Sequence, residues 1–151
     1  EAGERESGDA PLARALTVAG SMLETDVYLA EVLEELEGSR LTDPGVAQAF
    51  AGAVASIETD VYMAELLTEF VDDADVPPRV VAMLLHVAAE GIGTDVYLAE
   101  VLCEVSDRAF GSAEVRRAWS EAVAGLSSRV YREEALECAP SDGTGGDVEE
   151  V

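Results

Sequence analysis

The sequence predicts an all-α protein, built as an α-solenoid of four tandem helix pairs of about 34 residues each, followed by a disordered acidic tail. Three observations predict this fold class. A nine-residue phrase occurs in three nearly identical copies and in one degraded copy. The chain is 48% hydrophobic but only 5% aromatic, which favours packed helices over sheets. Residues typical of helix starts stand at the head of every phrase.

The repeated phrase is Thr-Asp-Val-Tyr-Leu-Ala-Glu-Val-Leu, at residues 25–33. Near-identical copies occupy 59–67 and 94–102, and a degraded copy occupies 128–136. We expect each copy to begin the second helix of a pair. The leading Thr or Ser hydroxyl is predicted to act as N-cap, and the Asp that follows it favours the positive end of the helix dipole. Behind the cap, apolar residues at i, i+3, i+4 and i+7 form one stripe.

A first helix is predicted before each phrase. Asp43 is a natural N-cap before Pro44, because proline in the first turn loses no hydrogen bond. Pro11 and Pro78 are expected in the same position of their helices, and Ser112 is expected to cap the fourth. Polar loops such as 38–43 and 72–76 would join one pair to the next. The predicted first helices are 12–23, 46–57, 80–89 and 115–126.

The chain is therefore interpreted as one helical-repeat domain at 10–139, between a disordered segment at 1–9 and a disordered acidic tail at 140–151. Arg129, Arg132 and Glu133 make the fourth copy polar, as a terminal repeat requires. The first unit has no such polar face, and the chain begins with Glu1. We expect either further repeats upstream or self-association through the N-terminal repeat. The predicted units are 10–41, 42–75, 76–110 and 111–139.

The formal net charge is −23, and all nine basic residues are arginine. Phosphate backbones and anionic membrane surfaces would be repelled, so we expect no nucleic-acid partner. No apolar stretch is long enough for direct membrane insertion. A basic protein or peptide partner fits the charge, whereas a salt-rich cytoplasm or a GC-rich genome would explain it more simply. We expect a cytoplasmic protein or the soluble part of a larger one.

Catalytic chemistry is not predicted. Cys103 and Cys138 match no metal spacing. They lie about one repeat apart, so a bridge between neighbouring helices requires favourable side-chain directions, and we expect two free buried thiols instead. His86 is the only histidine and lies in an apolar helix, which indicates a structural role. Without a nucleophile–base pair, a metal cluster or a phosphate loop, the sequence predicts no enzyme, no cofactor and no metal.

Recurrent side chains are the candidates for partner binding. Stacked Asp and Glu residues would form acidic columns that bind Lys or Arg, although helix capping and solvation would also explain them. The tyrosines would line a groove or pack between helices. Trp119, close to Arg116 and Arg117, would anchor a partner or lie buried. The candidate residues are Asp26, Asp60, Asp95, Glu31, Glu65, Glu100, Tyr28, Tyr62, Tyr97 and Trp119.

Residues 57–67, Ile-Glu-Thr-Asp-Val-Tyr-Met-Ala-Glu-Leu-Leu, and residues 92–102 resemble a phrase of HEAT-like helical repeats in bacterial signalling proteins. In the non-catalytic parts of BlaR-type membrane metallopeptidases and related sensors, the phrase is Ile-x-Ser-Asp-aromatic-Glu-x-Ala-x-Val-Leu. The likeness covers about residues 10–138. It departs where Thr replaces Ser and where Val-Tyr replaces the aromatic-Glu pair. Tetratricopeptide repeats share the period, but their Trp, Leu-Gly and Tyr pattern is missing. The resemblance implies a non-enzymatic helical module, attached to a larger sensor.

Two functions remain open on this basis. The leading hypothesis is a non-enzymatic scaffold that binds a protein or peptide through an acidic solenoid surface. The alternative is a structural or regulatory spacer segment of a larger bacterial signalling or membrane protein. An enzyme is the third class, and the residues give it no support.

Overall fold

The computed structural model describes residues 11–17 and 26–139, with backbone only at 26 and 27. All regular elements within these ranges are helical, and no strand occurs among them. The prediction of an all-α protein is confirmed. The predicted disordered ends and residues 18–23 of the first predicted helix lie outside the described residues.

Helices follow one another along the chain and are joined by short connections. Two short elements, a 3₁₀ helix and α7, lie in the connections. The elements are α1 (11–17), α2 (Asp26–Glu34), the 3₁₀ helix (Gly38–Thr42), α3 (Pro44–Ala55), α4 (Asp60–Val71), α5 (Pro78–Gly91), α6 (Asp95–Cys103), α7 (Asp107–Phe110), α8 (Ala113–Ala124) and α9 (Arg129–Cys138).

The first helices begin largely as predicted. Pro44 stands at the start of α3, and a side-chain oxygen of Asp43 accepts a hydrogen bond of 2.9 Å from the backbone N–H of Val46. Pro78 opens α5 in the same way. Ser112 occupies the N-cap position of α8, but its hydroxyl makes no capping bond. Asp43 therefore performs the predicted capping, whereas Ser112 only marks where α8 begins.

The connections are more ordered than predicted. Residues 38–43, expected as a polar loop, form the 3₁₀ helix, and its Leu41 is fully buried. In α7, Ala109 and Phe110 are buried, and the hydroxyl of Ser106 caps the helix by accepting from the backbone N–H of Ala109. These connections contribute apolar side chains to the core, so they adopt compact helical turns. The prediction of a polar loop at 38–43 was wrong for that reason.

The helices pack in two rows. In the first-helix row, α3 contacts α5 and α5 contacts α8. In the second-helix row, α2 contacts α4, α4 contacts α6, and α6 contacts α9. The core lies between the rows, where the rings of Phe50 and Phe70 stand 4.6 Å apart. Every buried side chain in the described ranges is hydrophobic, so apolar burial is the main force that holds the rows together.

Both ends of the second-helix row have one uncovered face. Val32 on α2 is 48% exposed, whereas its counterparts in the later copies are fully buried. Those counterparts are Leu66, Val101 and Ala135. At the other end, Leu136 on α9 is 57% exposed, whereas the same position is buried in earlier copies. Burial therefore follows a helix's place in the row as well as its sequence.

Candidate binding groove

The second-helix row forms two adjoining clefts. The larger one, of ≈ 1050 Å³, lies between α4, α6 and α9. The smaller one, of ≈ 320 Å³, lies between α2, the 3₁₀ helix and α4. Glu69 of α4 lines both. We refer to the two clefts together as the acidic groove, because carboxylates dominate the charged groups of both. These carboxylates are Asp72, Glu100, Glu104, Glu134 and Glu137 in the larger cleft, Glu34, Glu37, Asp73 and Asp75 in the smaller, and Glu69 in both.

Helical spacing places these carboxylates on one surface. Glu100 of α6 and Glu104, the C-cap residue that follows it, are four residues apart, so their side chains lie on one side of the helix end. Glu134 and Glu137 are three residues apart on α9 and meet the same condition. Among the residues that line the two clefts there is no arginine or histidine. The groove therefore concentrates negative charge without an internal counter-ion.

The pKa of Glu34 reflects the negative charge that surrounds it. Partial burial, and then the nearby carboxylates of four other glutamates, raise the pKa of Glu34 above its ordinary value of 4.5. Those four are Glu69 and Glu65 of α4, Glu31 of α2, and Glu35, which directly follows α2. Like charges raise a carboxyl pKa because each disfavours ionisation of the others. A cation placed here would relieve that repulsion.

The lining of the larger cleft also includes apolar side chains and a disulfide bond. Val96, Ala99 and Tyr131 line it beside the disulfide between Cys103 of α6 and Cys138 of α9. The Cα atoms of the two cysteines lie 5.4 Å apart. The expectation of two free buried thiols was wrong: the contact between α6 and α9 brings these residues within bonding range, and both are only half-buried.

The predicted Asp candidates lie between copies of the repeat. A single carboxylate oxygen of Asp60 accepts from the hydroxyl of Thr94 at 2.6 Å and from the backbone N–H of Gly93 at 3.1 Å. Asp95 accepts from the backbone N–H groups of Ser127, at 3.3 Å, and Ser128, at 2.6 Å. Each Asp thus stabilises the N-terminus of the second helix in the following copy. The side chain of Asp26 lies outside the described residues.

These bonds correct the predicted capping by hydroxyl groups. Thr59, Thr94 and Ser128 occupy the N-cap positions of α4, α6 and α9, but none makes a side-chain capping bond to its own helix. The Thr94 hydroxyl instead donates to Asp60 of the preceding copy. A hydroxyl can donate as well as accept, and here the neighbouring carboxylate is the stronger acceptor.

Of the predicted Glu candidates, only Glu100 lines the groove, whereas Glu31 and Glu65 lie near it. Glu100 lines the larger cleft, and Glu31 and Glu65 contribute to the field at Glu34. The sequence reasoning missed the carboxylates one helical turn further on, such as Glu104 and Glu137. The available signal was the recurrence of Glu at i, i+3 or i+4 on successive second helices.

The aromatic candidates differ in their surroundings. Tyr62, Tyr97 and Tyr131 are half-buried and pack against the core, and Tyr131 also faces the larger cleft. Tyr28 is 61% exposed on α2. Trp119 is 3% exposed, and its indole N–H donates to the carbonyl of Leu102 at 2.9 Å. Of the two roles considered for Trp119, its surroundings are those of a buried packing residue.

Other chemistry has little structural basis in the described part of the chain. His86 lies on the exposed side of α5. Across 11–17 and 26–139, no three His, Cys, Asp or Glu side chains are grouped so that they could hold a metal ion. No helix of the described ranges combines the length and apolar character needed to cross a membrane.

Comparison with known proteins gives no counterpart: no protein-family model, no curated protein and no solved structure matches this chain. The groove is therefore interpreted from its own side chains and their surroundings.

Proposed function

We propose that this protein is a non-enzymatic scaffold whose acidic groove binds a basic, amphipathic segment of another protein. The observation behind the proposal is that two clefts share Glu69 and that their charged lining residues are all carboxylates. A segment with Lys or Arg on one face and apolar residues on the other would match both the acidic walls and the apolar patch.

The arrangement of the helices supports a solenoid as the platform for this function. The two rows, α3–α5–α8 and α2–α4–α6–α9, are in contact along their length. Stacking of this kind would make the helix pairs repeats of a HEAT-like α-solenoid, whose second helices line one extended surface. Four units of about 34 residues are the repeats of this proposal.

The extent of the surface around the larger cleft suits a peptide. The cleft volume of ≈ 1050 Å³ lies at the upper end of the usual range of small-ligand pockets, about 300–1000 Å³. Helices packed side by side lie about 8–10 Å apart, so α4, α6 and α9 present a surface on the order of 20 Å across. A helical segment of about 18 residues, roughly 27 Å long, would span it.

The same surface argues against nucleic acid, since a row of carboxylates repels phosphates. A purely binding role also agrees with the positions of the reactive side chains. His86 is exposed on α5 and lines neither cleft, and the two cysteines are joined to each other. The groove therefore offers recognition by charge and shape, and neither a histidine nor a free thiol is among its lining residues.

A labelled peptide would test the proposal directly. The probe is a fluorescein-labelled 18-residue helix with Lys on one face and Leu on the other, and its neutral control has Gln in place of Lys. The anisotropy of the full chain with each probe is measured at about 50 and about 300 mM NaCl, because screening weakens exposed charge pairs. We expect the Lys probe to bind and to weaken at least tenfold at the higher salt.

Matched variants separate the groove from net charge. Glu69→Gln, Glu100→Gln and Glu134→Gln together remove three groove carboxylates. The control triple, Glu90→Gln, Glu114→Gln and Glu121→Gln, removes the same charge from exposed positions of the first-helix row. We expect about a tenfold loss of affinity for the groove triple and less than threefold for the control. Equal losses would show that the peptide responds only to overall acidity, and the groove proposal would fail.

Self-association through the N-terminal repeat stays a prediction beside this function. Tyr28 and Val32 give α2 an exposed apolar face. Light scattering over a range of protein concentrations would test it. A mass that rises with concentration, and returns to that of the monomer in Val32→Ser, is expected if this face is the contact.

A further inference from the structure

Helix α9 has a weak hold on the rest of the molecule. Ala135 is its only fully buried side chain. Val130 and Leu136 are largely exposed, and Tyr131 is half-buried. A helix of ten residues is marginal by itself in water, so α9 depends on its tertiary contacts. Those contacts contain little apolar burial.

Hydrogen bonds hold the N-terminal end of α9. Asp95 accepts from the backbone N–H groups of Ser127 and Ser128. The guanidinium of Arg132 donates to the carbonyl of Leu126 at 2.7 Å, which fixes the first turn against the preceding connection. These bonds position the start of the helix and do not reach its last turn.

The Cys103–Cys138 disulfide holds the opposite end, because Cys138 is the last residue of α9. Both cysteines line the larger cleft and are half-buried, so a small thiol can approach them from solvent. We propose that this disulfide is a redox latch, whose reduction frees α9 from α6 while the remainder of the fold stays intact.

The remainder of the fold has packing contacts of its own besides those with α9. Helix α6 also contacts α4, α5 and α8, and its Leu98, Val101 and Leu102 form part of the continuous core. Reduction therefore removes the covalent tie at the edge of the row and leaves the central helices packed. Reduction of a latch releases only α9, whereas reduction of a disulfide on which the whole fold depends would unfold the protein.

The reductant is a dithiol. One of its thiolates attacks a sulfur of the Cys103–Cys138 bond and forms a mixed disulfide, and the second thiol displaces the remaining protein sulfur. Two electrons and two protons pass to the protein, which ends with two thiols, while the dithiol becomes a cyclic disulfide. The latch is closed in an oxidising compartment and open in a reducing one.

Opening would dismantle one wall of the larger cleft. Helix α9 supplies Tyr131, Glu134 and Glu137 to that wall. This consequence rests on the proposed function, because it expects weaker binding of the basic peptide by the reduced protein. The release of α9 itself does not depend on any ligand.

Hydrogen–deuterium exchange of the full chain, oxidised and treated with dithiothreitol, tests the latch without a ligand. We expect amides of the last two turns of α9 to exchange at least tenfold faster after reduction, while those of α4 change less than twofold. The double variant Cys103→Ser/Cys138→Ser should show the fast α9 exchange whether or not dithiothreitol is present. The protection of α4 reports in the same sample that the variant is folded.

Two results would overturn the latch. One is an α9 that remains protected after complete reduction, and the other is a parallel loss of protection in α4, which would make the disulfide a support of the whole fold. The Lys peptide probe is then measured against both redox states. If α9 loosens but the oxidised protein never binds the probe, the proposed function fails and the latch stands. At least tenfold weaker binding to the reduced protein is the result that supports both.

Discussion

The carboxylate of Asp60 accepts a hydrogen bond of 2.6 Å from the hydroxyl of Thr94, 34 residues further along the chain. Asp95 stands in the same relation to the backbone of Ser128. The residue that opens one second helix therefore stabilises the start of the following one. This bond crosses from one copy of the phrase to the next.

Removing this bond should destabilise the protein measurably. Asp60→Ala deletes the acceptor for both Thr94 and Gly93, and we expect a loss of about 1–2 kcal/mol in the free energy of unfolding. Urea denaturation followed by circular dichroism measures it. Asp72→Ala, which changes an exposed Asp after α4, should stay within about 0.5 kcal/mol of wild type. A double-mutant cycle with Thr94→Ala should give a coupling of about 1 kcal/mol, and no coupling would show that the bond contributes nothing.

Equivalent valines should respond differently to the same substitution. Val101 and Val32 share one position of the phrase, but Val101 is fully buried and Val32 is 48% exposed. Val101→Ala should cost about 2 kcal/mol, because it leaves a cavity between α6 and its neighbours. Val32→Ala should cost less than about 1 kcal/mol, since much of its side chain already contacts water. Equal losses in urea denaturation would contradict the packing of the second-helix row.

Two glycines should have opposite effects when replaced by alanine. Gly52 lies within α3, and a Cβ atom there would meet no neighbouring atom within 4 Å. Gly52→Ala should stabilise the protein by about 0.5–1 kcal/mol through the lower backbone entropy of the unfolded chain. A Cβ atom at Gly91 would come within 2.9 Å of the Met63 sulfur, so Gly91→Ala should lower stability. Thermal melting curves distinguish the two signs.

Stability should depend on pH through Glu34. Burial and neighbouring carboxylates raise the pKa of Glu34 in the folded protein above the ordinary 4.5. The folded state thus holds this proton more tightly than the unfolded state does. The resulting stabilisation is complete below the unfolded pKa and is lost as pH rises through the folded one. Glu34→Gln should therefore raise the urea midpoint at pH 7 and have less effect at pH 4.

The control for this prediction is Glu121→Gln, which removes an exposed charge from α8. A gain at pH 7 that is equal in both variants would reflect net charge alone. Added salt should shrink the Glu34→Gln gain, since it screens the carboxylates of α2 and α4 from one another.

Local chemistry made much of the fold predictable. The phrase beginning at Thr59 predicts the start of α4 because its polar head and apolar stripe together are typical of a helix N-terminus. Asp43 and Pro44 similarly predict the start of α3, including the bond to Val46. These features depend on residues close together in the chain, which is the information that periodicity and capping contain.

The groove and the disulfide are each formed by residues of neighbouring helices. The sequence of a single helix does not predict either of them. Glu104 and Glu137 are ordinary solvent-facing residues on their own helices, and only the packing of α6 against α9 places them in one cleft. The prediction of two free thiols was wrong for the same reason. A spacing of one repeat puts Cys103 and Cys138 on neighbouring helices, whereas side-chain direction decides whether they meet.

The Asp60–Thr94 bond also bears on how a chain of this kind could change in length. At both described junctions one copy of the phrase presents the acceptor and the next copy the donor, so excision of residues 61–95 would leave Asp60 in the place of Asp95, facing Ser128. A deletion of this length would therefore keep an acceptor and a donor together at the new junction. A deletion of half that length would leave an acceptor without its donor.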